Sequence, residues 1–226
     1  MRLFKRILWD MKFQFKYGFY FLYTILTGIY LVILFALPEN WRSHAATLLI
    51  FSDPAAMGVF FMGAIVLLEK NQRVPCAFAV SPIRVMEYIV SKVVSICVIS
   101  TFVAAALAIA AKALNLPLIL LGTGVAVIIF TLLGIIAATR ITSLNQFILW
   151  TVPVEAVGFL PAILHLFGIS PPWLKHYPAN ICIDMVSGKG PAPAGAVITA
   201  LLIAILVYIT YKSVLNMWRS LGGGRL

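Results

Sequence analysis

Charge is scarce in this sequence. Asp, Glu, Lys and Arg make up 11% of its 226 residues, where an ordinary soluble domain carries roughly a quarter. With 62% hydrophobic residues and a mean hydropathy of +1.04, the chain would leave large apolar patches in water, so lipid is its expected solvent. Cysteine is sparse too. Cys76, Cys97 and Cys182 lie in separate segments without C-x-x-C spacing, which argues against a disulfide framework or a metal site and leaves them as small apolar fillers. The phosphate-cradling G-x-x-x-x-G-K-[ST] is missing, and Gly188-Lys189-Gly190 has neither its spacing nor its hydroxyl, so no P-loop is expected on this chain. H-E-x-x-H and G-x-S-x-G are missing as well. His165 follows Glu155 by ten residues, which on one helix is about 80° round and ~15 Å along. His44 and His176 have no carboxylate or thiol at ligand spacing. The chain is therefore expected to be neither an enzyme nor the holder of a metal or cofactor.

What is present is apolar length. The chain has room for six crossings of ~20 residues and short loops, and spans are expected at 17–37, 54–68, 88–111, 117–138, 146–167 and 194–211. Ser52-Asp53-Pro54 reads as the start of the second, with a capping side chain and Pro in the first turn. Residues 168–193, rich in Pro and Gly, form an external segment suited to folding back into the membrane. In 1–16, MRLFKRILWDMKFQFK, charges interrupt every apolar stretch, so a signal peptide is not expected. At 100° per residue Leu3, Phe4, Ile7, Leu8, Met11 and Phe15 share one face. Arg2, Lys5, Arg6, Asp10, Lys12 and Lys16 lie opposite, with Trp9 and Phe13 among them. This is an amphipathic helix for the membrane interface, a partner-binding helix being the other reading. The expected fold is all-α: one polytopic membrane domain over 1–226, with six transmembrane helices after an interfacial helix.

The 17 Lys and Arg outnumber the seven acidic residues, for a net charge of +10. They sit at the ends of apolar runs, so topology explains them better than nucleic acid does, and no nucleic-acid partner is expected. Thirteen fall on the face holding both termini, the 69–92 region and the 139–145 loop. Four (Arg42, Lys112, Lys175 and Lys189) fall on the other. By the positive-inside rule both termini are cytoplasmic.

The longest cytoplasmic segment is EKNQRVPCAFAVSPIRVMEYIVSK, residues 69–92. Ser81 with Pro82 offers the start of a short helix, and Arg73, Arg84 and Lys92 surround it with positive charge. On its residues alone the loop 69–87 is either a polar connector or a docking element. Its pattern of Glu69, Arg73, Ser81-Pro82, Glu87 and Lys92 resembles the first cytoplasmic loop of ABC-2-type transporter permeases, although Arg73-Val74 and Pro75 replace that family's usual Gly-Thr. The basic N-terminal helix is similar to the family's connecting helix, and PPWLKHYPAN (171–180) to its external segment before the last span. Among such permeases the small six-span kind assigned to fluoroquinolone export is the most similar.

The resemblance implies a type V exporter-like architecture and a permease subunit in the cell membrane, moving a drug, lipid or other amphipathic cargo outward by alternating access. It implies a second permease chain, identical or not, and a cytoplasmic ATPase subunit that carries ATP and magnesium. Glu69, Arg73, Ser81, Pro82, Arg84, Glu87 and Lys92 would then couple the chain to that ATPase. The alternative is an ATP-independent channel or a membrane-assembly protein.

Glu155 reads as the one acidic residue deep within a span, and so as a candidate for the substrate path. The aromatic run from Phe13 to Tyr23 reads as an interface belt. Gly58, Gly63, Gly122 and Gly124 read as sites of close helix packing.

Overall fold

A computed structural model of the chain describes residues 2–79, 81 and 83–221. All regular structure among these residues is helical. In order come α1 (Arg2–Lys16), α2 (Phe19–Ala36), α3 (Glu39–Asn71), α4 (Val74–Ala79), α5 (Val85–Ala110), α6 (Leu116–Arg140), α7 (Leu144–Leu166), α8 (Pro178–Val186) and α9 (Pro193–Leu221), with a 3₁₀ turn at Pro172–His176. Six of them, α2, α3, α5, α6, α7 and α9, are long and apolar enough to cross a membrane. In lipid a backbone must satisfy its own polar groups, and helices do so. The protein is an all-α, multi-pass membrane protein.

The second span departs most from expectation. Ser52-Asp53-Pro54 does not start it. The helix begins at Glu39, directly after Pro38, and runs 33 residues to Asn71. Glu39 in its first turn pairs with Arg42 at 3.7 Å. Asp53 caps nothing: it lies midway along the helix and is buried, while the Ser52 hydroxyl donates back to the Leu49 carbonyl at 2.9 Å. Pro54 has no N–H for the Ile50 carbonyl, and its ring crowds the preceding turn. The helix absorbs this without breaking, by widening into a π turn at Met57–Phe61.

That turn sits where α3 crosses α6. Lipid supplies no hydrophobic drive between helices, so close approach rests on small residues. A Cβ on Gly134 of α6 would stand 2.6 Å from the Val59 carbonyl oxygen and 2.9 Å from that of Gly58. A Cβ on Gly58 would meet Phe130 Cβ at 3.0 Å, and one on Gly63 would fall inside the Phe147 ring. Gly122 leaves the same kind of space for Met185 of α8, whereas Gly124 has nothing nearer than Cys97 Sγ at 3.9 Å. Gly124 is thus not a close-packing site. Because backbone carbonyls cannot swing aside, Gly134→Ala is expected to destabilise the bundle by about 1–3 kcal/mol, with Gly124→Ala near neutral. Unfolding midpoints in detergent check this, and equal midpoints for the two variants would contradict the α3–α6 crossing described.

The core gathers around α3 and α6, with Phe51, Met62, Ile65, Val66, Leu132 and Ile135 among its members. The helices α2 and α7 are peripheral, α2 burying only Tyr23 and Leu34, and α7 only Phe147, Thr151 and Ala162. The short α8 packs inward against α6. Burial pushes the thiol of its Cys182 up to about 12, so this cysteine stays a neutral packing group. His165 near the end of α7 joins Ser170 at 2.9 Å and Asp184 of α8 at 3.1 Å. Gly18, at φ 77°, supplies the left-handed turn between α1 and α2.

Candidate functional site

At one end of the bundle four charged side chains from three segments are packed together, out of solvent. Lys92 of α5 places its Nζ 2.8 Å from Asp10 Oδ1 of α1 and also pairs with Glu69 Oε1 near the end of α3. Tyr88 Oη donates to the other Glu69 oxygen at 2.8 Å, and Ser91 Oγ donates to the other Asp10 oxygen. Arg6 Nη2 stands 3.5 Å from Asp10 and 4.0 Å from Glu69. Its guanidinium lies over the rings of Phe78, Trp9 and Tyr88 at 4.3, 4.8 and 5.5 Å. Two cations and two carboxylates balance, and Asp10, Glu69 and Lys92 are at most 1% exposed. Such a set is tolerable in a low dielectric only because each charge meets its opposite, Lys92 and the two carboxylates with further hydrogen bonds and Arg6, whose Nε and Nη2 make none, with the aromatic faces around it.

The geometry follows from helical spacing. Arg6, Asp10, Phe13 and Gln14 recur at i, i+4, i+7 and i+8 and are the residues α1 buries. Gln14 Nε2 continues the seam by donating to Ser95 Oγ at 2.7 Å. The amphipathic helix is present, but its orientation corrects the sequence reading: part of its polar face is turned onto α5. Lys5, Lys12 and Lys16 stay exposed, as do Leu3, Phe4, Leu8 and Phe15. Trp218 of α9 closes the site with its ring 5.7 Å from both Phe78 and Tyr88. Lys70 Nζ donates to the carbonyls of Ala138, Thr139 and Ile141 at 2.6–3.3 Å, holding the end of α6 to the end of α3.

Of the residues expected at an exposed coupling surface, Glu69 and Lys92 are therefore interior. Arg73 and Arg84 are exposed, Arg73 in the left-handed conformation at φ 55°. The short loop helix is α4, at 74–79, and does not begin at Ser81. Ser81 follows its end, its hydroxyl donating to the Phe78 carbonyl at 3.1 Å and accepting the Ile83 N–H at 3.4 Å. Pro82 lies outside the described residues. Glu87 performs the capping that the sequence suggested for Ser81: its Oε2 accepts the Arg84 N–H at 3.1 Å at the start of α5.

Glu155 is half-buried on α7 and makes no hydrogen bond or ion pair among the described residues. It opens on a groove of about 290 Å³ shared with Ser52, Ala55 and Phe159. The opposite side of α7 borders two larger apolar grooves, about 520 and 700 Å³, which share Leu133, Trp150, Pro153 and Val154. Glu155 is not the one carboxylate midway along a span. Asp53 is another and the more buried of the two, hidden in the sequence by the Ser-Asp-Pro start signal. Asp10 and Arg6 look headgroup-facing in the sequence because, apart from each other, their charged partners Glu69 and Lys92 lie more than 60 residues away.

Helix number, length and hydropathy define a six-span polytopic membrane protein, its N-terminal helix locked by buried charge to the second and third spans. The chain belongs to the fluoroquinolones export permease protein family, which it matches over residues 1–190. It is 27% identical over 165 residues to the fluoroquinolones export permease proteins of two Mycobacterium tuberculosis strains, CDC 1551/Oshkosh and ATCC 25618/H37Rv. The match covers 72% of this chain and 66% of each relative, just under two thirds of their length.

Proposed function

We propose that this chain is the membrane-spanning subunit of an ATP-driven exporter in the cell membrane, with both termini cytoplasmic. The observation that carries the proposal is the buried ion cluster. A loop that merely connected two spans would need no such fastening, whereas this one is bound through Phe78, Arg6 and Tyr88 to α1, α3, α5 and α9. A push on the exposed Arg73 and Arg84 would thus reach three spans at once. The 13-to-4 division of basic residues supports a cytoplasmic loop, where an ATPase subunit carrying ATP and magnesium would dock. A second permease chain would cover the face of α3 and α7 around Glu155, because an intramembrane carboxylate without a partner is costly against lipid. Cargo would cross between the two permeases by alternating access, ATP shifting the balance of states. The relatives' names make a fluoroquinolone the first cargo to test, and the α7 grooves are of the size that holds drug-sized molecules.

Purification of the tagged chain from its native membranes in mild detergent is expected to bring down an ATPase subunit, and reconstitution of the pair to give ATP-dependent export. Transport that persists without ATP, with no ATPase retained, would establish the channel alternative instead.

A further inference from the structure

A second buried polar cluster lies within the membrane-crossing helices and takes no part in the coupling site. Asp53, midway along α3, is 1% exposed, and neither of its carboxyl oxygens has a hydrogen-bond partner. Ser100 of α5 is fully buried, and its hydroxyl approaches both Asp53 and Tyr23 without a hydrogen bond of regular geometry to either. Tyr23 of α2 is 3% exposed with its hydroxyl unpartnered, and the Tyr20 hydroxyl is in the same condition. The titratable groups facing Asp53 are Tyr23 and Tyr30, both on α2; among the described residues no Lys, Arg or His pairs with it. Tyr20, Tyr23, Thr27 and Tyr30 recur at i, i+3, i+7 and i+10, so one hydroxyl-bearing stripe of α2 faces this region.

A carboxylate at this depth, with no counter-charge and several unused oxygens around it, has an unmet requirement for positive charge. Asp53 lines none of the three grooves described above, and at 1% exposure its carboxylate suits a small cation better than an organic one. Pro54, next to Asp53, also has no N–H to offer the Ile50 carbonyl one turn back along the helix. We propose that Asp53, with the Ser100 and Tyr23 hydroxyls, binds a cation of negligible size, a proton or an alkali-metal ion, inside the membrane. Access lies along α2, which buries only two residues and so separates from α3 and α5 more readily than any central helix.

The test uses the full chain in detergent, as wild type, Asp53→Asn, Ser100→Ala and Glu155→Gln. Unfolding midpoints are measured in sodium, potassium and choline chloride at equal ionic strength, and the infrared carboxyl region is recorded on the same samples. With an alkali ion as ligand, the wild-type midpoint is higher in sodium or potassium than in choline, and Asp53→Asn abolishes the difference. With a proton as ligand, the midpoint ignores the salt and a protonated-carboxyl band appears. Asp53→Asn removes that band, Ser100→Ala shifts it and Glu155→Gln leaves it. Carboxyl-labelled aspartate assigns the band without any variant, because Asp10 is ion-paired and Asp184 contacts His165. Salt indifference together with no protonated-aspartate band overturns the proposal. The exporter reading is untouched by either result, since it stands on the ATPase experiment.

Discussion

Lys92→Met is expected to destabilise the protein by about 3–5 kcal/mol, the usual cost of removing one partner from a buried ion pair. Methionine fills much of the lysine's volume, so the loss is electrostatic. Asp10 and Glu69 would remain buried with only Arg6 between them, and Arg6 reaches them at 3.5 and 4.0 Å, against 2.8 Å for Lys92 to Asp10. Neutralising the carboxylates as well, in Asp10→Asn/Glu69→Gln/Lys92→Met, is expected to recover much of the loss, because uncompensated charge is the penalty and missing contact is the smaller part. Thermal unfolding in detergent reports both variants. An unchanged midpoint for Lys92→Met would mean that the charges are solvated in the membrane and that α1 is not held by them.

Arg84→Glu should do the reverse: leave the fold intact and weaken the partner. Arg84 is exposed, and the cap of α5 uses its backbone N–H, not its side chain. A carboxylate at a helix N-terminus is, if anything, mildly favourable, so the unfolding midpoint should hold. Losing a charged interface contact costs about 2–5 kcal/mol, and 1.4 kcal/mol is a factor of ten in affinity, so the ATPase retained on purification should fall by about tenfold or more. Glu87→Arg is a poorer test. It discards the cap itself, worth about 0.5–2 kcal/mol, and mixes instability with uncoupling, whereas Glu87→Gln keeps an acceptor for the Arg84 N–H. Full retention of the ATPase by Arg84→Glu, with export unimpaired, would remove this loop from the coupling path.

Fold class was legible because hydropathy is a one-dimensional signal: twenty apolar residues in a row declare a crossing wherever their partners are. Glu69, Arg73, Glu87 and Lys92 were legible as a pattern, but not the burial of two of them. Whether a charge faces water or another charge depends on residues such as Asp10, 82 positions from Lys92, and no local periodicity encodes that. Asp53 was masked by a real ambiguity. Ser-Asp-Pro is a sound helix start in water, but within LLIFSDPAAMGVFF apolar residues on both sides kept the helix going, and a π turn took up the proline's mismatch. Of the glycines, Gly134 was passed over although it makes the tightest backbone approach of α6 to α3, because nothing in its neighbours marks which face it is on.

The proline and widened turn halfway along α3 also give that helix a mechanical character. Glu69 lies fifteen residues beyond Pro54, or ~22 Å at 1.5 Å per residue, and Glu39 lies fifteen residues before it. The two arms are equal. A 10° rotation about Pro54 carries Glu69, and the loop clamped to it, through ~4 Å by that geometry, and swings the far end by the same amount in the opposite sense. Were the helix to move as one piece, its pivot would lie at the buried Pro54, inside the bundle, and a displacement of one end would reach the other inverted.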